Sequence, residues 1–237
     1  MRLKKGVYTT GLIMFVLALL VASVEVVAFS TSFFEKQYTK LDTAQSMGLS
    51  QDDLMKATHQ LLDYIKGDVD TINVKVTIEN ESVDMFNQKE VDHMVDVQDI
   101  FMNVKLIKNI FFGISLALFT MSIINKDIFD VVMGKTVIRN AINVLVIVIG
   151  LVVIYAIVDF SKFWITFHEL LFTNDLWLLD PRTDRMINMF PEVFFNTMVM
   201  QIILIFVISL ALISIGYILF YRHVMKRGNT NDSYRTI

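Results

Sequence analysis

The stretch "VFFNTMVMQIILIFVISLALISIGYILFY", from Val193 to Tyr221, contains no Asp, Glu, Lys or Arg. A helix needs about 20 predominantly apolar residues to cross the hydrocarbon core of a bilayer, and this run exceeds that length. Three further runs are uncharged: Gly6 to Val24, Asn109 to Asn125 and Asn140 to Val158. A spanning segment must satisfy its own backbone hydrogen bonds, and the ten-residue alternation of a membrane barrel is absent from these runs, so helices are expected. The second run is the shortest, but Lys108 and Lys126 at its ends can snorkel to the interface.

Composition points the same way. The chain has 237 residues, 54% of them hydrophobic, no cysteine and a mean hydropathy of +0.55, which disfavours a soluble globular protein and leaves no disulfide. The expected fold class is an all-α membrane protein with four transmembrane helices and a small, mostly helical extracellular cap containing a short strand. The first run begins MRLKK and reaches Val26-Val27-Ala28, which resembles a signal-peptide cleavage site. Its apolar length is long for a signal and Glu25 interrupts the approach to the cut, so it is read as a retained span.

Basic residues set the orientation. Arg2, Lys4 and Lys5 precede the first span, Lys126, Lys135 and Arg139 fill the link between the second and third, and Arg222, Lys226 and Arg227 follow the fourth. Lys and Arg favour the cytoplasmic side, so a multi-pass cell-membrane protein with both termini cytoplasmic is expected. The resulting layout is a first span at 6–29, an extracellular cap at 30–105, a second span at 106–125 and a cytoplasmic loop at 126–139. A third span at 140–160, an extracellular interfacial loop at 161–192, a fourth span at 193–221 and a cytoplasmic tail at 222–237 complete it.

Within the cap, "LSQDDLMKATHQLLDYIKG" offers Ser50 as an N-cap with Asp53 three residues on, apolar positions at helical spacing, and Gly67 as a stop. "TINVKVTI", Thr71 to Ile78, alternates β-branched with polar residues and reads as a short strand. "NQKEVDHMVDVQDIFMNVKLI" returns to a helical period that leads into the second span. Beyond the third span, "DFSKFWITFHELLF" keeps helical spacing, which predicts that this helix continues or bends along the interface; Trp164 and Trp177 suit that level.

Chemistry is scarce along most of the chain. His223 belongs to a basic flank and His59 to a polar helix face, whereas His93 and His168 both fall outside and near the membrane, just before the second span and just after the third. Asp96 and Glu90 lie one helical turn on either side of His93, where a carboxylate can fix the imidazole tautomer. A solvated polar face accounts for the same spacing, and an interfacial histidine accounts for His168. "HELLF" lacks the second histidine of a zinc-protease helix and no compact ligand cluster appears, so no metal or other cofactor is expected. No GxSxG and no cysteine nucleophile occur, which weakens any acyl-enzyme scheme. Glu25 either points into the outer cavity or reaches the interface.

The pairing of "EVDHMVDVQDIF", Glu90 to Phe101, with "FHELLFTNDLWLLDPRTDRMINMFPEVFF", Phe167 to Phe195, together with "LLDYI" around Tyr64, resembles the lipoprotein intramolecular transacylase family, Lit, of low-GC Gram-positive bacteria. The resemblance implies four membrane helices under an extracellular cap and a pair of catalytic histidines at the boundary, which map to His93 and His168. It implies a reaction that moves the sn-2 acyl chain of a diacylglyceryl-modified lipoprotein onto the α-amino group of its N-terminal cysteine, an O-to-N transfer that yields a lyso-form lipoprotein. The implied partners are such lipoproteins and membrane lipids, with no nucleic acid and with the oligomeric state open.

Supporting residues follow as expectations. Phe167, Phe172, Trp177, Phe190 and Phe194 are either chamber walls or interfacial packing. Asn174, Asp180, Arg182 and Asp184 are placed to hold the head group or to tie cap to bundle, with a structural salt link the favoured role for Arg182 and Asp184. A noncatalytic membrane sensor whose cap binds an outside ligand explains the topology equally well.

Overall fold

The computed structural model describes residues 2–125, 147 and 149–233. The elements in order are α1 (Arg2–Ala28), α2 (Thr31–Leu41), α3 (Thr43–Ser46), α4 (Gln51–Lys66), β1 (Lys75–Ile78), β2 (Glu81–Asp84) and α5 (Gln88–Ile124). They continue with α6 (Ile149–Val158), α7 (Phe160–Leu171), α8 (Met186–Met189) and α9 (Glu192–Ser233). Three of these helices, α1, α5 and α9, are long and apolar enough to cross a membrane. The protein is therefore a multi-pass, mostly helical membrane protein. Of the expected third span, only 147 and the residues from 149 onward are described, where α6 is apolar; the expected loop 126–139 lies outside the described residues.

Helices α1 and α5 run antiparallel. Phe29 meets Phe101 edge-on at 5.0 Å, Phe15 meets Phe112 at 6.4 Å, and Ser115 Oγ donates to the Gly11 carbonyl at 2.9 Å. A side chain at Gly11 would place its Cβ 2.8 Å from Leu118 Cδ1, so glycine permits this approach. Between the aromatic pairs, Lys108 donates to Glu25 Oε2 at 2.5 Å.

The polar module is built on tight local signals. Ser50 accepts the amide of Asp53 at 3.0 Å to start α4, and Gly67, at φ 84°, ends it, both as the sequence predicts. The strand expected from Thr71 begins only at Lys75 and pairs with β2, which the sequence reading missed; Glu79 and Asn80 turn the hairpin with φ of 52° and 68°. Two consecutive positive φ values match the right-handed twist of a two-residue hairpin. Helix α2 was also unforeseen. It supplies Phe33, Phe34 and Tyr38 to a core shared with Leu54, Ala57, Val76, Met85, Phe190 and Phe194. At its centre the Tyr38 hydroxyl and Thr58 Oγ1 lie 2.8 Å apart in a hydrogen bond.

Helix α5 is one continuous rod from the polar module into the apolar layer, so the expected border between residues 105 and 106 is no break in structure. Its start is fixed by a capping box: Asn87 Oδ1 accepts the amide of Glu90 at 3.0 Å, and Glu90 Oε2 accepts the amide of Asn87 at 2.8 Å. After α6 the chain breaks at Asp159, whose carboxylate accepts the Lys162 amide at 3.0 Å and starts α7 as a separate helix.

Candidate active site

Two elements bring the histidine pair together. The first turns of α5 carry His93 and the last turns of α7 carry His168, and the two ring centroids stand 6.4 Å apart. Both side chains are buried. His168 Nδ1 lies 2.7 Å from the Trp164 carbonyl oxygen. A carbonyl only accepts, so Nδ1 carries the proton and the lone pair of the neutral ring sits on Nε2. His93 Nδ1 is buried with no hydrogen-bond partner among the described residues.

Aromatic rings surround the pair. Trp177 and Phe172 stack near-parallel on His168 at 4.9 and 5.6 Å, while Trp164 and Phe167 meet it edge-on at 4.7 and 5.4 Å. Phe172 also touches His93, at 5.1 Å. Phe195 from the start of α9 stacks on Trp164 at 4.2 Å and so braces the box from behind. Burial in these surroundings penalises the imidazolium form. It pushes the His93 pKa down to about 4, with neighbouring His168 adding to the effect and Asp96 opposing it. Burial likewise lowers the His168 pKa, against the bond to the Trp164 carbonyl, which raises it. Both shifts favour the neutral ring.

The carboxylates expected to orient His93 do something else. Glu90, almost fully buried, spends one oxygen on the capping box and the other on the Met186 amide at 2.5 Å, tying the start of α5 to the start of α8. Burial raises its pKa above the ordinary value, while the bonds from the Met186 and Asn87 amides oppose that rise. Asp96 accepts from Asn174 at 2.8 Å and acts on His93 only through its field. This corrects the expectation of a carboxylate–imidazole hydrogen bond, because backbone amides and an asparagine satisfy both groups first.

Other expected residues hold the surrounding loop. Asp184 accepts from the Asp180 amide at 2.7 Å and from Asn87 Nδ2 at 2.8 Å, with Lys89 Nζ 3.6 Å away. Lys89 also donates to the Leu178 carbonyl at 2.5 Å. Arg182 is highly exposed and grips Asp180 with two nitrogens at 2.6 to 3.2 Å. Arg182 and Asp184 thus take part in separate salt links, not in one with each other.

Four expected residues lie elsewhere. Phe190 and Phe194 belong to the core around Tyr38, stacked on that ring at 6.2 and 5.8 Å, and face no histidine. Tyr64 is buried on α4, where its carbonyl accepts from Gln98 Nε2. Glu25 pairs with Lys108, which is fifteen residues along α5 from His93, roughly 22 Å at the helical rise. Two participants were missed as site residues: Trp164, whose place four residues before His168 signals contact on one helix face, and Phe195, which nothing local in the sequence identifies. Among the described residues no group of three or more His, Asp or Glu is placed to hold a metal ion.

The fold and the site together define a multi-pass helical membrane protein with a buried histidine pair in an aromatic box beside its polar module. The chain belongs to the lipoprotein intramolecular transacylase Lit family, whose model matches residues 9–195. Its fold is similar to that of the membrane-integral lipoprotein intramolecular transacylase Lit from Bacillus cereus, solved in meso, with a TM-score of 0.73, 20% identity, and 97% of each chain covered. Two forms of that protein with a histidine replaced by arginine or by alanine match at TM-scores of 0.70 and 18% identity, each over 97% of this chain and over 94% and 95% of theirs. No curated protein sequence matches the chain.

Proposed function

We propose that this protein is an intramolecular O-to-N acyltransferase of the cell membrane, which moves the sn-2 acyl chain of a diacylglyceryl lipoprotein onto the α-amine of that lipoprotein's N-terminal cysteine. Family membership supports the reaction class. The observation that carries the assignment of residues is the paired state of the two imidazoles: His168 with Nδ1 committed and Nε2 left as a base, and His93 buried with an unanswered Nδ1.

The proposed step balances as follows. The amine nitrogen attacks the ester carbonyl carbon through an eight-membered ring that runs through Cα, Cβ, sulfur, two glycerol carbons and the ester oxygen. His168 Nε2 takes a proton from the attacking nitrogen, the carbon–oxygen bond to glycerol breaks, and the same proton is delivered to the glycerol oxygen. The amide stays on nitrogen and no water is consumed. Such a ring closes poorly by chance, and a site that folds the head group back on the amine supplies orientation, for which effective molarities reach on the order of 10⁵ M. The stacked Phe172 and Trp177 and the edge-on Phe167 exclude water from that ring.

His168 is the principal acid and base in this scheme because its tautomer leaves Nε2 free. His93, its pKa pushed down to about 4 by burial, acts as a neutral hydrogen-bonding partner to the amine or to the proton in transit. In the proposed topology four helices span the bilayer, both termini are cytoplasmic, and residues 30–105 and 161–192 form an outer layer with the site at the outer leaflet. Proton transfer by a positioned histidine contributes about 10²- to 10⁴-fold. The test is His93→Ala and His168→Ala, each assayed for lyso-form product alongside its membrane abundance. Loss of product at normal abundance supports the scheme; unchanged product from both variants contradicts it and favours a binding role.

A further inference from the structure

Beside the histidine box lies a second hollow, of about 380 Å³, lined by Ile165, Glu169, Phe172, Asp175, Trp177 and Leu178 among others. It shares two rings with the box, since Phe172 and Trp177 both stack on His168. It is nonetheless a separate place. Glu169 is exposed on α7, whereas the preceding residue, His168, is buried and its ring faces His93 of α5.

The lining has an unbalanced charge. Glu169 and Asp175 line the hollow, and Asn174, also in its wall, holds the carboxylate of Asp96. None of these three carboxylates forms an ion pair with a described residue. The lysines of the flanking elements are committed elsewhere: Lys89 to Asp184 at 3.6 Å and Lys162 to Asp159 at 3.2 Å. A fatty chain laid here would strip water from these carboxyl groups and return no partner, an unfavourable exchange. A peptide with a basic side chain satisfies both halves of the lining, its stem on Ile165, Trp177 and Leu178 and its charge on the acids.

We infer that this hollow receives the peptide segment that follows the modified cysteine, and that Glu169 and Asp175 make the protein prefer substrates with basic residues there over acidic ones. The inference rests on the reaction proposed above, and it adds a specificity for the peptide that the histidine pair itself does not supply. The acids lie on an open surface, so the preference is a modest electrostatic one, about three- to fivefold.

The experiment uses two lipopeptides with the same diacylglyceryl cysteine, one with Lys and one with Glu at the two positions after it, and compares kcat/KM for acyl transfer by the full-length protein. Wild type should favour the lysine peptide about three- to fivefold. Glu169→Gln with Asp175→Asn should bring the ratio close to one, and salt at about 1 M should do the same to the wild type, because screening acts within a few ångström at that strength. Transfer with no charge preference in the wild type, a preference that survives in the folded double variant, or one untouched by salt overturns the inference and leaves the transacylase reading standing. If the double variant does not reach the membrane, the salt series on the wild type decides. No transfer from either lipopeptide overturns the transacylase reading and this inference with it.

Discussion

His168 Nδ1 and the Trp164 carbonyl oxygen are 2.7 Å apart, four residues along one helix, so the backbone of α7 dictates which nitrogen of the imidazole keeps its proton. A side chain that reproduces the bond but not the base separates the two roles. His168→Asn retains a donor for that carbonyl and removes the proton acceptor. The expected outcome is a loss of about 10²- to 10⁴-fold in kcat with the thermal midpoint close to wild type, measured by lipopeptide turnover and by unfolding in detergent.

The pH profile follows from the direction of the histidine shifts. Burial lowers the His168 pKa, so the base stays neutral below the ordinary imidazole value of about 6.5, and the acid limb of kcat/KM should fall below that pH. Phe172 touches both rings, at 5.1 and 5.6 Å, and Phe172→Ala opens the box to water. Its acid limb should move up toward 6.5. An unchanged limb would mean that this ring does not set the environment of the base.

Stability carries the same sign. With the His93 pKa at about 4 when folded and near 6.5 when unfolded, the unfolded chain binds more protons between those values. Stability should therefore fall as pH drops from about 6.5 to about 4 and level off below, by on the order of 3 kcal/mol from this group. His93→Phe should flatten that slope, which equilibrium unfolding at a series of pH values measures.

How far the fold was legible in the sequence depends on how local each signal is. Val193 to Tyr221 announced a long apolar helix by length alone, and Ser50 and Gly67 marked the ends of α4, because those cues act within one helical turn. Strand β2 was hidden because Glu81 to Asp84 is short, polar and mostly exposed, and gains its form from pairing with β1. Of the site, Phe167, Phe172 and Trp177 were visible because they neighbour His168 in sequence. Glu90 was misread. Asn87 and Glu90 carry the spacing of a capping box, which claims that carboxylate before His93 can, and the second claim on it, from Met186, comes from a contact no local pattern encodes.

That contact is itself testable. Glu90→Ala leaves the amides of Met186 and Asn87 without their acceptor inside the protein. The expected cost is about 2–4 kcal/mol, since hydrogen bonds to charged groups are worth about 1.5–3 kcal/mol each and relaxation recovers part. Denaturant unfolding of the purified protein measures it, and a loss under about 0.5 kcal/mol would exclude Glu90 as the tie between α5 and α8.

The Glu25–Lys108 pair between α1 and α5 should behave as a coupled unit. Glu25 Oε1 is buried without a partner, so Lys108→Leu alone strands a carboxylate, at an expected cost of about 3 kcal/mol. Adding Glu25→Leu should recover most of that loss. A double-mutant cycle on unfolding midpoints reads the coupling, and additive losses would mean the two charges are solvated independently.

The central claim is that one lipid-bearing cysteine is both donor and acceptor of the acyl chain. A synthetic diacylglyceryl lipopeptide with a labelled sn-2 chain, incubated with the purified protein and read by tandem mass spectrometry, tests it directly. The account predicts an unchanged total mass with the label moved to the cysteine nitrogen. Release of the label as free fatty acid, with the lipopeptide lighter by one acyl group, would contradict it.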